Sequence, residues 1–172
     1  MAFSLRRGEQ LPGPIRRALE LGPGERVLTW AREEGAGDTV VLSNHRLYAV
    51  DAAGVRTLAR PWHEVDAGTW SAELGQLTVT WVGGARPSQW TLGDSTLLPE
   101  TLRERVQASV VLAQRVDLGP RRIARAVIRQ DLATGELVEQ VVTGRGVRGD
   151  DEEVASASAR ALAELREQVG LD

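Results

Sequence analysis

Residues 121–129 carry the most concentrated charge in the chain, because no acidic residue separates their basic side chains. Those side chains are Arg121, Arg122, Arg125 and Arg129. A guanidinium group donates paired hydrogen bonds to phosphate or carboxylate oxygens, so the stretch is a candidate site for an anion or an acidic partner. The opposing interpretation, which we favour, is that Glu139 and the four acids at 150–153 neutralise these arginines inside the fold.

The five tryptophans fall on predicted strands or next to their ends, where a bulky aromatic residue either fills a core or anchors a partner. We expect Trp81 and Trp90 to be buried in the core. Trp62 and Trp70 lie near strand ends, and one of them is a candidate exposed anchor, since tryptophan is enriched among residues that dominate binding energy. These two tryptophans and the four arginines are the candidate interaction residues.

Residue types that support catalysis or metal binding are scarce. The chain has no cysteine and no lysine, and its two histidines, His45 and His63, fall on different predicted hairpins. A zinc site needs several such ligands to converge, and no nucleotide-binding glycine loop or serine-nucleophile motif occurs. We therefore predict no catalytic residue, no cofactor and no metal, in a protein that is not an enzyme.

The composition is typical of a globular protein, with 172 residues of which 42% are hydrophobic and 26% charged. A net charge of −3 gives no general attraction to nucleic acid, so we do not expect nucleic acid as a partner. No run of about 18 apolar residues predicts a transmembrane segment, and the first residues lack the apolar stretch of a secretory signal. The expectation is a cytoplasmic protein.

Period-2 alternation of apolar and polar residues predicts strands between residues 27 and 92. Glycine, asparagine and aspartate at the breaks, such as Gly83-Gly84, indicate tight turns, so the sheet should be antiparallel. Seven strands are predicted, at residues 27–32, 39–43, 46–51, 55–60, 65–72, 76–82 and 88–92.

The apolar spacing then changes to three or four residues over 96–116, which predicts an amphipathic helix of about five turns. Its buried face should hold Leu98, Leu102, Val106 and Val110. Residues 122–130 and 137–143 predict a hairpin, and a final helix begins near the acids at 150–153, where the helix dipole favours negative charge.

Three motifs resemble those of bacterial pleckstrin-homology-like (PH-like) domains: GERVL at 24–28, VVLSNHRLY at 40–48 and RPWHEV at 60–65. Seven antiparallel strands followed by one long helix is also the element order of the PH barrel. The usual second motif has threonine where this chain has Ser43. The all-arginine basic composition is typical of high-GC, actinobacterial-type bacteria.

The resemblance implies a mainly β fold with α: a seven-stranded antiparallel PH-like barrel plugged by a C-terminal helix, followed by a β-hairpin plus helix. Three regions follow: an N-terminal segment with a short helix at 1–24, a PH-like domain at 25–117, and a ββα extension at 118–172. The extension resembles one found in proteins of high-GC bacteria.

The function implied is that of a non-catalytic protein-interaction or scaffolding module. Its partner would be a peptide strand at the open edge beside the fifth strand, or another copy of the chain through self-association. The alternative is an adaptor that binds nucleic acid or an anionic membrane surface through residues 121–129. A steep dependence of binding on salt would favour the adaptor.

We predict weak or no binding to phosphoinositide head groups. PH domains that bind these lipids use basic residues around the first two strands, whereas this chain places Glu33, Glu34 and Asp38 in that loop. Like charges repel a phosphate by about 1 kcal/mol per close pair even in bulk water. Titration with soluble inositol phosphates by calorimetry at physiological salt checks this, and saturable micromolar binding would contradict it.

Overall fold

The computed structural model describes residues 10–93 and 96–171, which contain ten strands and three α-helices. The helices are α1 (Gly13–Leu19), α2 (Leu98–Ser109) and α3 (Glu152–Val169). The strands are β1 (Val27–Arg32), β2 (Thr39–Ser43), β3 (Arg46–Val50), β4 (Arg56–Pro61), β5 (Val65–Ser71), β6 (Gln76–Trp81), β7 (Ser88–Thr91), β8 (Val110–Asp117), β9 (Ile123–Gln130) and β10 (Leu137–Thr143).

The strands form three antiparallel sheets, in the orders β1-β2-β3-β4, β5-β6-β7 and β10-β9-β8. The seven predicted strands between residues 27 and 92 are therefore confirmed, with the antiparallel direction that their turns indicated. They make two sheets that do not close into a barrel. A 3-10 turn at Trp62–Glu64 leads from the first sheet to the second, and the Glu34 N–H donates to the Thr91 carbonyl (2.8 Å) near the ends of β1 and β7.

The main core lies between the first two sheets and α2. Trp81 and Trp90 are buried there, as predicted, together with Leu98 and Leu102 of α2. Gly68 of β5 lets the helix approach, because a Cβ at that position would collide with the Leu102 side chain. The tip of the β9–β10 hairpin adds Leu132 to the same core.

The predicted helix at 96–116 is wrong in its second half, since α2 ends at Ser109 and β8 follows directly. Val110 is 37% exposed rather than part of a buried helical face. The three-to-four spacing continues past Ser109, but Val110 and Val111 are β-branched and favour extended backbone. Pairing of β8 with β9 satisfies the backbone groups of this segment and determines its conformation.

The predicted ββα extension is a three-stranded sheet with α3 on one face, because β8 joins the hairpin. The helix begins and ends as its sequence indicates. The Asp151 side chain accepts from the Glu153 N–H at the start, and Gly170 takes the left-handed conformation at the end. The division at 24/25 and 117/118 stays a prediction, and residues 1–9 and 172 lie outside the described residues.

We predict that Leu102→Ala lowers the free energy of unfolding by about 2–4 kcal/mol, because it leaves a cavity in a packed core. Leu102 is 1% exposed and lies among the tryptophans of the main core. Arg103→Ala is the matched control on the exposed side of α2, where the cost should stay within about 0.5 kcal/mol. Urea unfolding measures both; a larger loss for Arg103→Ala would contradict the orientation of α2.

Candidate functional site

Two of the three motifs that carry the resemblance, at 24–28 and 40–48, meet at the buried carboxylate of Glu25, whose side chain is 0% exposed. Ser43 and Tyr48 donate their hydroxyls to it, and the Gly22 N–H donates to its second oxygen. Burial opposes ionisation of Glu25, but these hydrogen bonds outweigh it, so that its pKa is lowered. The cluster connects the end of α1 and β1 to β2 and β3, which makes it a structural element of the first sheet.

Arg129, predicted as part of an interaction strand, is buried at 3% exposure. Its guanidinium donates to the carbonyls of Trp62 (2.6 Å) and Val65 (2.9 Å) and to the Ser109 hydroxyl (2.7 Å). Burial lowers the pKa of Arg129 to about 10, which still leaves it protonated at neutral pH. The prediction that it faces a partner is therefore wrong: Arg129 joins β9 to the 3-10 turn, β5 and the end of α2.

The other three arginines of residues 121–129 are exposed or half-buried. Arg122 makes ion pairs with Asp151 (3.0 Å) and Glu153 (2.6 Å), as the interpretation of internal neutralisation predicted. Arg125 lies 3.4 Å from Asp66 of β5. Arg121 is exposed, with a left-handed backbone. The expected contribution of Glu139 is wrong, because Glu139 pairs with Arg166 of α3 instead.

Neither candidate tryptophan is an exposed anchor. Trp62 is 0% exposed, and its indole N–H donates to the Ser43 carbonyl (3.0 Å), which fixes the 3-10 turn against the end of β2. Trp70 is half-buried and packs against the main core. The open edge expected beside the fifth strand is also partly covered, because Arg129 occupies the Val65 carbonyl and α2 lies against Gly68.

The third sheet has two covered faces, and its edge strands are β10 and β8. Ala124, Ala126 and Ile128 of β9 pack against α3 on one face. On the other face Arg129 and Gln140 bond to carbonyls of the 3-10 turn, with Gln140 donating to His63 at 2.6 Å. The sheet is thus held between α3 and the second sheet, with β10 at its free edge.

The hydrogen bonds at the two ends of the β9–β10 ladder show which backbone groups of β10 point outward. The Gly144 N–H donates to the backbone carbonyl of Ile123, and the Asp131 N–H donates to the backbone carbonyl of Glu136. Hydrogen-bonded pairs alternate with non-bonded pairs along an antiparallel ladder whose register is unbroken. It follows that alternate residues of β10 direct their N–H and C=O groups away from β9. These residues are Leu137, Glu139, Val141 and Thr143.

A groove of about 1100 Å³ runs along this edge. One wall is α3, with Ala155, Ala159 and Leu162, and the other is the end of β6 with the turn after it, including Trp81 and Gly83-Gly84. Val141, Val142 and Thr143 of β10 form the floor. The groove is therefore mainly apolar and contains the C-terminal part of the β10 edge, residues 141–143.

Two polar side chains border the groove without an internal partner. Ser158 is 3% exposed, and its hydroxyl has no hydrogen-bond partner among the described residues. Arg145 is exposed and forms no ion pair with a described residue, whereas the groove's acid, Asp66, already contacts Arg125. Within residues 10–93 and 96–171, the groove thus offers the Ser158 hydroxyl and the Arg145 guanidinium without a partner.

Sequence reasoning missed the groove residues, although one signal was present. Edge strands usually carry lysine, proline or another charge that discourages pairing with a second chain. Residues 140–144 of the predicted hairpin contain none of these. The groove itself depends on the distance between α3 and the turn after β6, which lie far apart in the sequence.

Comparison with known proteins assigns no family: no protein-family model matches the chain, and no curated protein does either. Among the described residues, no group of three or more histidine, aspartate or glutamate side chains is arranged to hold a metal ion. No helix in the described part of the chain has the length and apolar character needed to cross a membrane.

We predict that Arg129→Met lowers the free energy of unfolding by at least about 2 kcal/mol, because each buried polar group left unpaired costs about 1–3 kcal/mol. The variant removes the donor from the Trp62 and Val65 carbonyls together. Arg125→Met is the matched control, since its exposed pair with Asp66 should contribute about 1 kcal/mol or less. Thermal and urea unfolding measure both, and equal losses would count against the structural role of Arg129.

Proposed function

We propose that this chain is a non-catalytic protein-interaction module that holds a protein partner in the groove beside β10. The observation that carries the proposal is the free strand edge along the floor of an apolar groove. Apolar walls supply binding energy by losing contact with water, and unpaired backbone groups supply direction and register.

The shape and lining of the groove favour a protein segment over a small molecule. Small-molecule sites enclose most of the ligand and place a few polar groups around it. Here the polar groups form a row along β10, and the walls carry small residues such as Ala155, Ala159 and Gly84. A wall of small residues leaves room for the side chains of an entering chain.

The charges of residues 121–129 give less support to the alternative of an adaptor for nucleic acid or an anionic membrane. Electrostatic binding to a phosphate backbone needs several basic side chains that are available to neutralise phosphates and release the counterions of the phosphates. Arg129 is buried, and Arg122 and Arg125 face internal acids, which leaves Arg121 exposed. A protein partner therefore remains the better proposal.

The resemblance to PH-like domains is part of the same proposal, as are a cytoplasmic location and a bacterial origin. The order of seven antiparallel strands followed by α2, with Leu98 and Leu102 in the core, supports the resemblance to PH-like domains. In this interpretation the N-terminal strands are the scaffold, and the third sheet with α3 adds the binding groove.

We expect peptides selected from a displayed random library on the wild-type protein to bind Ala159→Arg at least about tenfold more weakly, because the new side chain fills the groove. Ala159 is exposed on α3 and borders the groove. Ala163→Arg is the matched control: it places the same side chain one turn further along α3, at an exposed position outside the groove.

Fluorescence anisotropy with the labelled peptides measures the three affinities, and circular dichroism verifies the fold of each variant. Equal binding to Ala159→Arg and wild type would place the peptide elsewhere on the protein. Failure of the library to yield any saturable binder would refute a peptide-binding groove.

A further inference from the structure

We infer that the β10 edge binds an extended peptide of a partner protein by strand addition, with a carboxylate of that peptide set against Arg145. This inference rests on the proposed function and specifies the partner of the same groove. The outward backbone groups of Glu139, Val141 and Thr143 are spaced as a pairing strand requires, two residues apart.

The outward backbone groups of β10 determine the length of the added strand. The outward groups span residues 137–143, of which residues 141–143 line the groove, so an added strand of up to about seven residues completes the ladder, at about 3.4 Å per residue. Every described backbone hydrogen bond of β10 to another strand goes to β9. The added strand would make the third sheet four-stranded, with β10 buried between β9 and the peptide.

The two walls of the groove determine which side chains the peptide can carry. In an added strand alternate side chains point to opposite faces. One set meets α3 at Ala159, Leu162 and the unpartnered Ser158, and the other meets Trp81 and the turn at Gly83-Gly84. Both walls are mainly apolar, so the peptide should carry β-branched or other apolar residues along its length, with room for one hydroxyl or amide near Ser158.

The charge of Arg145 determines which peptide end groups the groove favours. Arg145 follows β10 by two residues, borders the groove and has no described ion-pair partner. Asp66, the acid that borders the groove, is already 3.4 Å from Arg125. A carboxylate on the peptide therefore finds a free cation at this end of the edge, whereas a lysine there would meet repulsion. Charge complementarity thus selects an acidic over a basic extended peptide.

The test uses the full chain and three synthetic peptides that alternate valine and threonine and end in aspartate, asparagine or lysine; all three are acetylated and amidated, so that the aspartate side chain is the one carboxylate that differs between them. We expect the aspartate peptide to bind about tenfold more tightly than the lysine peptide, and Arg145→Gln to remove that preference while leaving the asparagine peptide unaffected. Binding should slow hydrogen exchange at the amides of Val141 and Thr143, which nuclear magnetic resonance measures residue by residue.

Two variants at one position separate backbone pairing from side-chain contact. Val141→Pro removes an outward N–H and keeps the hydrogen bonds that the neighbouring residues make to β9. Edge strands accept proline at such positions, where the N–H faces away from the sheet. Val141→Ala keeps the N–H and loses only methyl groups. We expect Val141→Pro to abolish peptide binding and Val141→Ala to weaken it less than tenfold, with both variants folded by circular dichroism.

The outcomes distinguish this inference from the proposed function. If Ala159→Arg abolishes binding and Val141→Pro does not, the groove binds a peptide but strand addition is wrong. If neither variant loses binding, both the proposed function and the inference of strand addition are refuted. If wild-type protein forms a dimer in analytical ultracentrifugation and Val141→Pro makes it monomeric, the strand comes from a second copy, and a separate partner protein is ruled out.

Discussion

The buried guanidinium of Arg129 is the constraint on which the arrangement of the three sheets depends. It satisfies the carbonyls of Trp62 and Val65, which bracket the 3-10 turn between the first and second sheets. Trp62 in turn bonds to the end of β2 through Ser43. A continuous set of buried hydrogen bonds therefore runs from β9 to β2, and a buried charge without a carboxylate partner is tolerable because its donors face carbonyl and hydroxyl oxygens.

This attachment also determines which edge of the third sheet stays open to the groove. With Arg129 and Gln140 held against the 3-10 turn, β10 lies beside the turn after β6, and α3 covers the other face. The two edges of the sheet differ in character. β8 has a bulge after Val110 and carries Arg115 and Asp117, which discourage pairing, whereas residues 140–144 are uncharged and in regular register.

Local patterns in the sequence predicted most elements of the fold but not the contacts between them. The seven strands, α1, the β9–β10 hairpin and α3 follow from period, turn residues and caps, and they lie close to their predicted positions. The end of α2 could not be found in this way, because Val110 and Val111 fit both a helical and a strand pattern until β9 pairs with the segment.

The candidate residues show the same limit of local reasoning. Alternation placed Arg125 and Arg129 on one face of β9, and they do lie on one face. Only the tertiary packing decides that the Arg129 side chain is buried against the 3-10 turn, while the Arg125 side chain stays exposed beside Asp66. Trp62 gave no sign of its burial beyond its type, since the 3-10 turn that carries it interrupts the strand pattern.

The charged strand β9 lies next to the edge that we propose as the interaction site, but it does not form that edge. β9, which carries Arg125 and Arg129, is the central strand of its sheet, so both of its edges are paired, and its residues Ala124 and 126–129 are buried. β10 carries fewer charges, and its unpaired edge faces the groove. In the proposed function, binding to this sheet uses backbone groups of the edge strand, and Arg129 of the central strand holds the sheet against the 3-10 turn.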